Sequence, residues 1–263
     1  MPAITLPATS FIQPQWPAPS HIVALTSCRQ GGASLPPFDS FNLAQHVNDD
    51  SAKVSINRQY LLEHCSGLQR IQWLEQVHGT DVITAQGDEV VTADASFTRQ
   101  QGLACAVMTA DCLPVLFCDQ AGQQVAAAHA GWRSLVGGVL ENTVKSFTVP
   151  ASELFVWLGP AISQPYFEVG PEVRAAFLAA DVVAVGSENH AAIETAFIEN
   201  PDRPQHFFAD LYQLARCRLQ AAGVQYIYGG DHCSFREASD FYSYRRDGVT
   251  GRMVSLIYRQ AVI

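Results

Sequence analysis

The apolar positions of this chain form short, dense runs in the middle and helix-spaced stripes around them. Leu103–Thr109, Leu113–Cys118 and Gln123–Ala128 are nearly continuous apolar segments set apart by polar or glycine-containing breaks. Runs of this length suit strands covered on both faces. His21–Ser27, Leu154–Leu158, Gln225–Tyr228 and Met253–Tyr258 read as further strands. Ile71–Val77 and Asp81–Ala85 read as two more, around the turn His78-Gly79-Thr80. Helical spacing takes over elsewhere. Ser51–Cys65 follows Asp49-Asp50, an acidic N-terminal turn. In Leu135–Phe147, residues Leu135, Val139, Leu140 and Val144 share one face. Pro171–Ala180 opens with proline at a first helical position. Ala209–Ala222 carries Leu211, Leu214 and Leu219, with Gly223 placed to cap its end. Strands mixed irregularly with helices predict an α+β fold. No repeat or linker interrupts the pattern, so residues 1–263 read as one domain; residues 1–20, with Pro14, Pro17 and Pro19, form an irregular lead-in.

Composition narrows the function classes. Hydrophobic residues are 48% and charged residues 16% of the 263, which excludes a disordered chain. A net charge of −9 argues against nucleic acid as a partner, because phosphate neutralisation needs a basic face. No run is long enough to span a membrane, and no Lys or Arg precedes Arg29, so neither a membrane partner nor export is expected. The seven cysteines show no CxxC and no framework spacing, as in a cytoplasmic protein with reduced thiols. The only lysines are Lys53 and Lys145; the other basic side chains are arginines, whose planar fork suits carboxylate or phosphate.

The candidate chemistry lies at strand ends. His78 (QVHGTDV), Cys112 (TADCLPV) and His129 (AAAHAGWR) are good ligands for a borderline metal such as zinc, and three protein ligands leave a fourth position open. Asp94 and Asp111 are candidates for acid–base work or for orienting a ligand. Asn42, Arg58, Arg133, Tyr244, Arg245 and Arg246 are candidate substrate contacts, the last three within FYSYRRDGVTGR, where an aromatic ring and arginines can stack a base and bind phosphate. Cys112 and His129 also fit a second chemistry, nucleophile and general base of a cysteine hydrolase without obligatory metal. A metal-stabilised binding module is a third reading. The chain has no P-loop, dinucleotide fingerprint, HExxH, GxSxG or HxE…PCxxC signature. Copper at the two His and one Cys, with Met108 nearby, is conceivable. It is disfavoured because a multicopper oxidase needs a histidine-rich cluster, and the eight histidines include no HxH.

Taken in order, QVHGTDV, ADASFT, TADCLPVLF, AAAHAGWR, LGPAI…YFEVG and FYSYRRDGVTGRM resemble the YfiH-like family. That family is also labelled the polyphenol oxidase or laccase-domain family and includes the bacterial peptidoglycan editing factor. The resemblance runs from about Asn42 to Met253; Ala44, Asn48, Ser134 and Ser163 stand where the family pattern has glycine. It implies mixed β-sheets flanked by helices, similar to the catalytic domain of cytotoxic necrotizing factors, and a metal site at His78, Cys112 and His129. It implies phosphorolysis of adenosine, inosine, guanosine and methylthioadenosine to base and pentose 1-phosphate, plus adenosine deamination. The editing role implies instead hydrolysis of UDP-MurNAc-L-Ser. The expected partners are thus a small-molecule nucleoside with phosphate, or a UDP-muramoyl precursor.

Overall fold

The alternation of side chains along one strand sorts the core into layers. The computed structural model describes residues 11–184 and 190–260. In the strand Leu103–Thr109, Leu103, Cys105 and Val107 face one way and Ala104, Ala106 and Met108 the other. The first set packs against Leu116, Cys118, Val125, Ala127 and Trp157 of a second sheet. The second set meets Phe41, Leu43 and Leu61, the last from the helix Ser51–His64. The far face of the second sheet, with Val115, Phe117, Ala126 and Ala128, packs on Leu135, Leu140, Leu214 and Leu219 from helices. The arrangement is four layers: helix, sheet, sheet, helix. Each fully buried Leu or Val in these layers contributes about 1.5–3 kcal/mol.

The first sheet has the order Phe11–Ile12, Ile22–Ser27, Met253–Arg259, Leu103–Thr109, Arg70–Gln72. All its pairings are antiparallel except the last. The second has the order Tyr226–Gly229, Leu154–Leu158, Leu113–Asp119, Val125–Ala130, Ala95–Thr98, Val82–Thr84, with parallel pairs at both ends. Both are mixed sheets, and with the flanking helices they make the expected α+β fold.

Several boundaries differ from the sequence reading. The expected strand Ile71–Val77 divides: Arg70–Gln72 joins the first sheet, while Leu74–Glu75 pairs with Val91–Thr92. Beyond the break, the Gln76 amide bonds both the N–H and the carbonyl of Met108, at 2.8 Å each, taking the place of backbone pairing. The expected helix Leu135–Phe147 is two helices, Trp132–Gly137 and Val139–Lys145. Gly138 adopts φ 101° between them, where its N–H caps the first helix, and a left-handed residue cannot continue a right-handed helix. Asp50 and Asp210 cap their helices through side-chain bonds to the Ala52 and Gln213 N–H groups. Of the expected irregular lead-in, residues 1–10 lie outside the described residues and Phe11–Ile12 is a short edge strand.

Candidate metal centre

His129 lies at the end of the strand Val125–Ala130, on the face of Val125 and Ala127, where the seam between the two sheets opens. Cys112 sits in the turn between the strands Leu103–Thr109 and Leu113–Asp119. His78 occupies the turn before Val82–Thr84 with φ 59°, an unusual conformation for a residue with a side chain. Asp94 holds that turn in place. Its carboxylate accepts the N–H groups of Val77 (3.2 Å), His78 (3.0 Å) and Gly79 (2.6 Å). The same carboxylate bonds His129 Nδ1 at 2.7 Å, which leaves Nε2 of that ring directed at the site. One buried acid thus aligns two of the three candidate ligands.

The donor atoms of His78, Cys112 and His129 all lie within 4.8 Å of one another. Cys112 Sγ is 3.7 Å from His78 Nε2, and the two imidazoles meet edge to face with centroids 4.8 Å apart. A tetrahedral zinc ion with ordinary Zn–S and Zn–N bonds would separate such a pair by about 3.6 Å. Gly131 leaves the room required: a Cβ there would lie 2.7 Å from His78 Cδ2 and 3.2 Å from Cys112 Sγ. Donor chemistry, spacing and an orienting carboxylate all fit a divalent ion of the zinc type. The open side faces a cavity of about 300 Å³ whose lining includes His46, Gln76, Thr109, Tyr244 and Arg252.

The charges in the site sustain one another. Burial works against the Cys112 thiolate, but His129 and His78 together pull the thiol well below its ordinary value. Burial likewise opposes a charge on His129, and Cys112 and Asp94 raise it nonetheless. For Asp94, desolvation is outweighed by the His129 bond and by the Gly79 and Val77 N–H groups, which hold it below the usual carboxylate range. The arrangement can ligate a cation, or carry a thiolate–imidazolium pair.

Other expected site residues occupy structural positions. Asp111, at φ 94°, accepts from Ser234 Oγ (2.7 Å) and the Arg245 N–H (2.6 Å), tying the Cys112 turn to the short helix Tyr244–Asp247. The Arg245 guanidinium donates to the carbonyls of Tyr166 and Glu168. That of Arg246 donates to the carbonyls of Ser234, Phe235 and Phe241. Arg133 stacks on Trp132, and Arg58 stacks on Trp73 while bonding the Leu43 carbonyl. Asn42 is buried and bonds Ala44, Asp49 and the Arg252 N–H. Of the six expected substrate contacts, Tyr244 lines the cavity of the three donors. The sequence reading gave no role to Gln76 or Arg252, and noted His46 only as a polar neighbour of Asn42. Gln76 and Arg252 lay within the quoted segments QVHGTDV and FYSYRRDGVTGRM, where His78 and the Arg245-Arg246 pair drew attention instead.

Residues 23–260 match the family model described as multi-copper polyphenol oxidoreductase laccase. The chain belongs to the YfiH-like family. A purine nucleoside phosphorylase of Pseudomonas aeruginosa is 50% identical over 95% of this chain and 99% of its own. The purine nucleoside phosphorylase YfiH of Escherichia coli is 49% identical over 95% and 99%. Among solved structures, a Neisseria meningitidis protein is 46% identical with a TM-score of 0.88, covering 96% of this chain and 100% of its own. YlmD from Geobacillus stearothermophilus is 30% identical with a TM-score of 0.87, covering 98% and 99%. The YfiH-like fold is therefore shared nearly end to end. Among the described residues no helix is long and apolar enough to cross a membrane.

Proposed function

We propose that this protein is a zinc-dependent purine nucleoside phosphorylase, acting on adenosine, inosine, guanosine and methylthioadenosine, with adenosine deamination as a second activity of the same site. The supporting observation is the convergence of His78, Cys112 and His129 on one cavity, in a chain matched end to end by relatives named purine nucleoside phosphorylase. In phosphorolysis a phosphate oxygen bonds the anomeric carbon of the sugar, the glycosidic C–N bond breaks, and the departing base takes a proton on nitrogen. His78, Cys112 and His129 would hold the ion, which when bound supplies Lewis-acid chemistry. Asp94 fixes the His129 tautomer and the His78 turn, so the ligand set is assembled before substrate arrives. Tyr244, 62% exposed at the cavity mouth, offers a ring on which a purine can stack. Cys28, Cys65, Cys105, Cys112, Cys118 and Cys233 are free thiols, which suits a cytoplasmic location and one reduced domain across residues 1–263.

One observation favours a second reading. Cys112, His129 and Asp94 stand in the order nucleophile, base and orienting acid, with charges already separated. An amide hydrolase acting on UDP-MurNAc-L-Ser would use that arrangement, in keeping with the resemblance to the toxin catalytic domain.

Product analysis on metal-quantified protein separates the two. Adenosine with phosphate should give adenine and ribose 1-phosphate in proportion to phosphate, and exhaustive chelation or Cys112→Ala should abolish the reaction. Undiminished phosphorolysis by zinc-free Cys112→Ala protein would refute the metal reading. Cleavage of UDP-MurNAc-L-Ser at full rate after chelation would establish the thiol chemistry in its place.

A further inference from the structure

The Arg252 backbone and the Arg58 guanidinium hold one loop beside the cavity. Asn42 Oδ1 accepts the Arg252 backbone N–H at 2.9 Å, and the Leu43 carbonyl accepts Arg58 Nε at 2.9 Å. Arg252 lines the cavity of the three metal-ligand candidates. Arg58 lines an adjoining groove of about 490 Å³, and the two spaces share His46, Gln76 and Met108. His46 therefore stands between two fixed positive charges. Desolvation and the charges of Arg252 and Arg58 hold its ring below the ordinary histidine range, which keeps it neutral and able to donate one N–H.

Among the described residues no carboxylate pairs directly with either guanidinium. The side-chain bonds of Arg252 go to the carbonyls of Thr250 and Gly251, and that of Arg58 to Leu43. Burial disfavours the Arg252 charge while Cys112 and Asp111 favour it, and both oxygens of Asp111 are engaged by Ser234 and the Arg245 N–H. Glu75 lines the outer groove, but its carboxylate accepts from Thr92 Oγ1. Partly buried guanidinium groups without a carboxylate are costly unless an anion completes them, and their forks match phosphate oxygens.

We propose that Arg252 and Arg58, on either side of His46, form an oxyanion subsite that holds a phosphate group next to the metal centre. The identity of that group as the inorganic phosphate of phosphorolysis rests on the function proposed above; a phosphate ester carried by the substrate would use the same contacts. Arg252 and Arg58 then do what the sequence reading also asked of Arg245 and Arg246, whose guanidinium donors go to backbone carbonyls and, for Arg246, to the Asp247 carboxylate as well. The placement brings a nucleophilic oxygen to the edge of the cavity in which the sugar must lie, the proximity that a two-substrate displacement requires.

The test uses the zinc-loaded full chain with Arg252→Gln, and with His46→Glu in the exposed loop, where a carboxylate would pair with the arginines and exclude phosphate. Each variant should raise the KM for phosphate by about tenfold or more, the worth of a charge-assisted contact, while the KM for nucleoside and the zinc content stay within about twofold. A folded Arg252→Gln protein with an unchanged KM for phosphate would overturn the subsite. If the wild type shows no phosphate-dependent turnover, the phosphorolysis reading fails, and calorimetry with inorganic phosphate and with a nucleoside 5′-monophosphate decides the subsite alone. Binding of either that is lost in both variants supports it, and the anion that binds identifies the source. Absence of Arg252-dependent binding of both overturns it.

Discussion

Asp94 is the residue on which the site geometry turns. It receives three backbone N–H groups and one imidazole, so its loss would release the His78 turn and the His129 ring together. Asp94→Asn should lower zinc affinity by about 10–100-fold, measured by competition with a chromophoric chelator, while far-ultraviolet circular dichroism stays unchanged. Gly131→Ala acts from the other side, driving a methyl group against the His78 ring. It should weaken zinc binding in the same assay without touching a ligand. The depressed Cys112 thiol gives a pH prediction for the metal-free protein. A thiol pulled below its ordinary 9.0 is already thiolate near neutral pH, so iodoacetamide should modify Cys112 at a rate that levels off below pH 8. Burial pushes Cys28 and Cys105 up to about 12 and Cys65 up to about 11, so they should stay unmodified under the same conditions. Peptide mass spectrometry reads both. A Cys112 profile that rises only above pH 9 would contradict the charge pairing. The three donor residues and Asp94 were legible in the sequence because each sits in a short, distinctive run. Gln76 and Arg252 were not, because their place on the cavity depends on segments far apart in the chain meeting across the molecule.

At the scale of elements, the sequence was most readable where a strand is covered on both faces. Leu103–Thr109 was expected with the bounds it has, and Met253–Tyr258 with one residue to add, because continuous burial produces a continuous apolar run. The strands Glu168–Val169, Phe197–Glu199 and Phe207–Ala209 went unseen, since two or three residues cannot display an alternation. The helix His190–Thr195 was likewise too short to show a stripe. The helices Val139–Lys145 and Leu211–Ala221 are joined by an ion pair between Glu141 and Arg218 that is almost wholly buried on the arginine side. Glu141 Oε2 and Arg218 Nη1 have no other partner, so removing the acid would strand a charge in the interior. Glu141→Ala should destabilise the fold by about 3–5 kcal/mol in urea denaturation and leave the zinc stoichiometry at its wild-type value. A loss under about 1 kcal/mol would mean that water already reaches the pair.

For the whole molecule, the two-sheet stack explains why residues from three separate segments can meet. The donors gather where the seam between the sheets opens, His129 at a strand end and His78 and Cys112 in turns that Asp94 and Asp111 pin in place. The fold class could be read from the sequence, but the division of the strands into two sheets could not, because pairing partners far apart in the chain leave no local pattern. A metal that bridges three segments binds the folded chain and not the unfolded one. Chelation should therefore lower the Tm by about 5–10 °C at zinc levels near a hundredfold above Kd, and readded zinc should restore it. The most direct measurement is the rate of ribose 1-phosphate formation from adenosine and phosphate as zinc is returned stepwise to chelated wild-type protein. The predicted curve starts at zero and reaches its plateau at one ion per chain. A full rate before any zinc is added would contradict the assignment of His78, Cys112 and His129 as a metal centre that the reaction needs.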